Sequence, residues 1–156
     1  MENIKLNKNS LEANKLPSNI EAEQSLIGSV LVNNDIIDEV SNIVNSSKFF
    51  DPIHKKIYEV IETLNNKGMI ANPITLKNYF EKDSGLNEVG RVDYLVKLTR
   101  FSSSIKQAID YAKIVHEMYL RRELIQISNK LSSLSKINFI MIISSNCLNG
   151  SFCFNT

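Results

Sequence analysis

The sequence predicts an all-α protein: a compact bundle of about six helices, the last of them long. Three observations predict it. Apolar residues recur three and four apart from Ala22 to beyond Met118, the spacing of a helix face. Helix start and stop signals, at Ser18, Asp51-Pro52, Gly68 and Pro73, punctuate that pattern at helix-sized intervals. No convincing period-two alternation, the mark of a strand, occurs before residue 136.

Residues 1–15, MENIKLNKNSLEANK, are polar and weakly patterned and read as a disordered arm. Order begins after Pro17, where Ser18 and Glu21 form an S-x-x-E capping box. Ala22, Leu26, Ile27, Val30 and Leu31 give the first helix its apolar stripe. Gly28 sits inside the stripe at a cost of about 1 kcal/mol against Ala, which predicts a close approach by another helix. Asn33-Asn34 break the helix, and Asp35 opens a second with Ile36, Ile37, Val40, Ile43 and Val44 on one face.

NSSKFF is a loop with two aromatic anchors, Phe49 and Phe50. Asp51 caps the third helix, with Pro52 at its first position, where a missing N–H costs nothing. Ile53, Ile57, Val60, Ile61 and Leu64 form its stripe, and Gly68 closes it. Pro73 precedes a short fourth helix, capped by Thr75, with Leu76, Tyr79 and Phe80 inward. DSGLNEVG is a turn-rich loop. A fifth helix carries Val92, Tyr94, Leu95 and Leu98. Ser102, Ser103 and Ser104 offer a cap for a sixth, from Ile105 to about Leu134. Short connections predict that consecutive helices pack as antiparallel neighbours.

The last twenty residues, INFIMIISSNCLNGSFCFNT, carry no charge and hold a β-branched run at Ile137–Ile143, an aggregation liability if exposed. A terminal strand or buried tail is one reading. The preferred one makes residues 132–156 an off-pattern tail, the product of truncation or a frameshift near Lys136.

Composition narrows the function. Eighteen basic and seventeen acidic side chains leave a net charge of +1, no electrostatic case for a free-standing nucleic-acid binder. Cys147 and Cys153 lack two further ligands for zinc, since His54 and His116 lie far away in sequence. No apolar signal core or membrane-length segment is visible, so the expectation is a cytoplasmic protein with no membrane partner.

GLNEVGRV, Gly85 to Val92, matches G-x-x-x-x-G, but Arg91 and Val92 stand where a phosphate loop needs Lys and Ser/Thr. A helix-linking turn is the better account. His54 reads as a first-turn residue facing water, and His116 as part of an amphipathic helix. Acidic pairs at helix starts are explained by the macrodipole. Neither a catalytic, a cofactor-binding nor a metal site is expected.

The sixth helix says more. Ile105, Ala108, Ile109, Ala112, Val115 and Tyr119 make one stripe. Tyr111, Ile114, Met118 and Ile125 make a second. A surface helix of a small monomer needs one stripe, so the second is a candidate protein interface unless the short helices cover both. Arg121 and Arg122 are the candidate polar or nucleic-acid contacts. Flanked by Glu117 and Glu123, they equally suit i,i+4 pairs or a protein contact.

LPSNIEAEQSLIGSVLVNNDIIDEV, FFDPIHKKIYEVIETLNNKG, PITLKNYFEK, GLNEVGRVDYLVKL and YAKIVHEMYLRREL resemble, in order, the N-terminal domain of the DnaB-family bacterial replicative DNA helicase. The resemblance spans about Leu16 to Leu131, so residues 16–131 are expected to form that collar domain. It implies an assembly module of a hexameric ring in DNA replication, self-associating through a helical hairpin. That hairpin maps to the Asp93–Thr99 helix and the long helix from Ile105. It also implies binding of primase and, in some systems, of the helicase loader.

ATP, Mg²⁺ and DNA would belong to a RecA-like motor domain. No Walker sequence for it is seen here, so the chain is expected not to be an enzyme. A non-functional truncated fragment and, further off, a helical DNA-binding regulator are the alternatives.

Overall fold

The computed structural model describes residues 16–82 and 92–148, with side chains over 16–80 and 93–134. Among the described residues the protein is all-α, with six helices. They are α1 (Ile20–Val32), α2 (Ile37–Ser41), α3 (Pro52–Asn66), α4 (Pro73–Lys82), α5 (Val92–Thr99) and α6 (Ile105–Leu148). Short 3₁₀ turns precede α2 and α3. The chain divides into two compact units, Met1–Leu120 and Arg121–Thr156, and α6 contributes to both.

Several boundaries follow the sequence. The Asp51 carboxylate accepts from the Ile53 N–H, with Pro52 in the first turn. Gly68 ends α3 at φ 67°, a left-handed conformation that glycine adopts without a Cβ penalty. The Gly68 N–H donates to the Asn65 carbonyl and the Met69 N–H to that of Leu64, which satisfies two orphan carbonyls. Ser104 caps α6 through its Oγ, which accepts from the Gln107 N–H at 3.4 Å. The Gln107 side chain accepts in return from the Ser104 N–H at 3.2 Å.

Three details differ. Asn19, not Ser18, caps α1, its Oδ1 accepting from the Ala22 N–H at 3.0 Å. The two residues are adjacent and both competent, and the backbone turns helical one position later. Likewise Asn72 caps α4, accepting from the Ile74 and Thr75 N–H groups, and Pro73 is the first helical residue. Thr75 instead supports the cap, accepting from the Asn72 N–H. Finally, α6 continues to Leu148. Uncharged β-branched residues therefore extend a helix already nucleated upstream. The DSGLNEVG loop and the Gly85–Val92 motif lie largely outside the described residues.

The core of the first unit is built from the predicted stripes. Leu26, Ile27, Val30, Val40, Val44, Ile57, Ile61, Leu76, Phe80, Leu95, Leu98, Ala108 and Ala112 are all essentially excluded from solvent. Ile53 departs from its predicted stripe and is 39% exposed, whereas His54 and Tyr58 take the inward face of α3. Of the two loop aromatics, Phe49 is buried against the Tyr58 ring, with centroids 4.8 Å apart, and Phe50 stays largely outside.

The packing is not mainly sequential. α1 packs on α5 and on α3, and α4 on α5 and on α3. The α1–α5 contact explains Gly28. A Cβ at that position would meet the Leu98 carbonyl oxygen and crowd the Ser102 nitrogen, both backbone atoms. Next to it, the buried Ser29 hydroxyl donates to the Ser25 carbonyl at 2.7 Å and accepts from the Ser103 N–H at 2.9 Å. Gly28 and Ser29 thus seat the α5–α6 turn on α1 and fix where α6 starts.

Candidate functional site

The predicted interface stripe sits on α6. Tyr111 and Ile114 are half-buried and pack against the core of the first unit. Met118 is half-buried and Ile125 is 38% exposed. The stripe therefore grades from core to surface along the helix, because its first positions adjoin the core stripe of Ala108, Ala112 and Val115. Arg121 is exposed, whereas Arg122 is 7% exposed.

A buried polar network was not visible in the sequence. His54 is fully buried, correcting the expectation that it faces water, and Glu23 is 2% exposed. Both side chains point inward from helices whose apolar faces leave no route to solvent, so each must find partners inside. The Glu23 carboxylate accepts from the Phe50 N–H at 2.7 Å, the Asp51 N–H at 3.3 Å and His54 Nδ1 at 2.7 Å. His54 Nε2 lies 2.8 Å from the Tyr94 hydroxyl. With Nδ1–H donating to Glu23, Nε2 of the neutral ring accepts from Tyr94. Burial, with Asp51 and Glu23 nearby, raises the Tyr94 pKa above the ordinary phenol value, although a hydrogen bond with Gln24 opposes this.

The network joins α1, the start of α3 and α5. It lacks the features of a reacting centre. Glu23 spends both oxygens on fixed N–H donors, and the imidazole has both nitrogens engaged. Its chemistry is positional: it holds α5 to α1 and to the start of α3. A signal did exist in the sequence. His54, Ile57, Tyr58 and Ile61 recur at i, i+3, i+4 and i+7, which marks His54 as inward.

A groove of about 450 Å³ lies beside the start of α1, lined by Asn19, Glu21, Gln24, Ser25, Phe101 and Tyr111. No grouping of three or more His, Cys, Asp or Glu side chains suited to a metal ion occurs among the described residues. No helix among them is long and apolar enough to cross a membrane.

With helices, network and α6 faces in place, comparison with known proteins identifies the family. A model of the DnaB-like helicase N-terminal domain matches residues 15–117, well over half of the chain. The chain belongs to the DnaB-like helicase N-terminal domain family. It is 42% identical over 116 residues to the replicative DNA helicase DnaB of Rickettsia typhi, covering 74% of this chain and 23% of that protein. It is 34% identical over 117 residues to DnaB of Buchnera aphidicola, covering 25% of that helicase. The chain thus spans about a quarter of the length of the curated relatives it matches.

Among solved structures, the N-terminal domain of DnaB helicase from Mycobacterium tuberculosis superposes with a TM-score of 0.73 at 27% identity. That likeness covers 78% of this chain and 88% of that domain. The corresponding domain from Helicobacter pylori, a domain that interacts with primase, shares the fold at a TM-score of 0.63 and 18% identity. The DnaB N-terminal fold therefore accounts for the packing of α1 to α5.

Proposed function

We propose that this chain acts in DNA replication as the N-terminal collar module of a replicative helicase, assembling with its own kind and binding primase. The family match over residues 15–117 carries this reading. The fold shared with a primase-interacting domain supports it. Catalysis is no part of it: ATP hydrolysis, Mg²⁺ and DNA translocation belong to the motor domain of a full-length helicase, and a loader is a further partner.

Self-association in this reading uses the outer end of the Tyr111, Ile114, Met118 and Ile125 stripe. Ile114 packs on the core, so the test changes Met118 and Ile125 together to Glu. The variant is expected to keep its helical signal and melting transition and to lose mass by light scattering. A wild type that is monomeric at high concentration refutes the interface, and so does a double variant that unfolds. For the partner, calorimetric titration with the primase of Rickettsia typhi should give saturable binding. No binding by a folded, assembled sample refutes the primase role.

A further inference from the structure

The connection between α3 and α4 leaves large apolar side chains in water. Met69, Ile70 and Ile74 are 49%, 67% and 69% exposed. The backbone that carries them is held from several sides, so they cannot tuck inward. Gly68, at φ 67°, turns the chain out of α3. Asn34 grips Ala71 by its N–H and its carbonyl, at 2.6 and 2.8 Å. The Thr75 hydroxyl reaches the Ile70 carbonyl at 2.9 Å, and Asn72 caps α4. Exposed apolar groups on a turn fixed in this way mark a surface made for contact, with little ordering left to pay on binding.

Beside the turn is a groove of about 420 Å³, lined by Leu64, Lys67, Met69, Thr75, Asn78 and Tyr79. Leu64 is buried and Tyr79 packs against the core, so these two walls are set by the fold. The Lys67 ammonium lies over the Tyr79 ring, 5.7 Å from its centre, which stations the charge at the groove. Among the described residues of the lining, Lys67 is the one charged group. From Thr63 to Phe80 the sequence holds Lys67 and Lys77 and no acidic residue.

We propose that this groove binds an acidic segment of a partner protein. One bulky aliphatic or aromatic side chain of that segment seats against Leu64, Met69 and Tyr79, and a neighbouring carboxylate meets Lys67. The lysines and the lack of acid select an acidic partner. The concave shape selects a protein segment over a lipid surface, which is met by a protruding apolar face and needs no cavity. The site is built by α3, α4 and their connection, so it rests neither on the α6 interface nor on primase binding.

The test uses the full chain and a fluorescein-labelled peptide, GEELFEELEE, with a twin carrying lysine in place of every glutamate. Anisotropy should rise saturably with the acidic peptide and little with the twin. Met69→Ser should weaken binding of the acidic peptide about tenfold, since an apolar wall is lost. Lys67→Glu should weaken it about fivefold and should improve binding of the lysine twin, because the charge at the groove is reversed. Leu124→Ser, at a similarly exposed apolar position on α6, should change nothing. These positions are exposed, and an unchanged circular dichroism melt verifies folding.

No saturable binding of the acidic peptide would overturn the proposal. So would equal binding of the twin, a Lys67→Glu chain without effect, or a loss in Leu124→Ser as large as in Met69→Ser. Sedimentation of the wild type with phosphatidylglycerol vesicles that Met69→Ser abolishes would mean a lipid surface. A fall in mass of Met69→Ser by light scattering, without peptide, would mean that a second copy covers the groove. Either result overturns the proposal.

Discussion

Replacing Glu23 with Ala should destabilise the packing of α1, α3 and α5. The substitution leaves three donors facing a dry cavity: the Phe50 N–H, the Asp51 N–H and His54 Nδ1–H. A buried donor without an acceptor costs about 1–3 kcal/mol. The Asp51 contact, at 3.3 Å, is the weakest and contributes least. Two strong donors left without an acceptor give an expected loss of about 4 kcal/mol, a large fraction of the 5–15 kcal/mol typical of a whole domain.

Glu23→Gln separates charge from shape. Its Oε1 can still accept from Phe50, but its NH₂ must face both the Asp51 N–H and the imidazole. The ring can answer by moving its proton to Nε2, whereas the Asp51 amide cannot. A loss of about 1–2 kcal/mol is expected. Urea unfolding followed by circular dichroism reads both values. If Glu23→Ala costs less than about 1 kcal/mol with an unchanged slope, the network does not hold the helices together and the reasoning fails.

Other outcomes follow from single sites. Gly28→Ala should destabilise by about 1–3 kcal/mol despite Ala's better helix propensity, because its Cβ meets backbone atoms of Leu98 and Ser102 that no rotamer change can move; a stabilised variant in thermal melts would refute this. Tyr58→Phe should be neutral or stabilising by up to about 1 kcal/mol, since the Tyr58 hydroxyl is buried with no hydrogen-bond partner among the described residues. Burial, with Glu62 nearby, raises the Tyr58 pKa well above its ordinary 10.0. The unfolded chain therefore releases the phenol proton first, and stability falls as pH rises above 10.0. Alkaline urea titrations should show that fall reduced in Tyr58→Phe, with the contribution of Tyr94 remaining. An identical slope in both proteins would contradict it.

The parts of this fold that sequence revealed are those set by neighbours a few residues apart. The Asp51-Pro52 start, the Gly68 stop and the apolar stripes of α1 and α3 need only local chemistry and period. Gly28 was legible as a close approach because its cost inside a helix demands an offsetting contact, although its partner, α5, was not. His54 was misjudged because its partners lie 31 and 40 residues away and its first-turn position outweighed its place in line with Ile57, Tyr58 and Ile61. Ser29 escaped notice for the same reason: its partner, Ser103, is 74 residues distant. The end of α6 was misplaced because β-branched composition was weighted above the momentum of a helix already formed.

Asn34 carries a consequence of another kind. Its Nδ2 donates to the Val30 and Ala71 carbonyls at 3.0 and 2.8 Å, and its Oδ1 accepts from the Ala71 N–H at 2.6 Å. One side chain thus imitates a rung of β-sheet, pairing both backbone groups of a residue that belongs to no helix. The Ala71 amide should then exchange with deuterium slowly. Its exchange requires Asn34 to let go, so its rate reports how often the C-terminal end of α1 parts from the segment leading into α4. In native-state exchange, Ala71 is a one-proton gauge of that opening, and Asn34→Ala would silence it while also freeing the Val30 carbonyl at the end of α1.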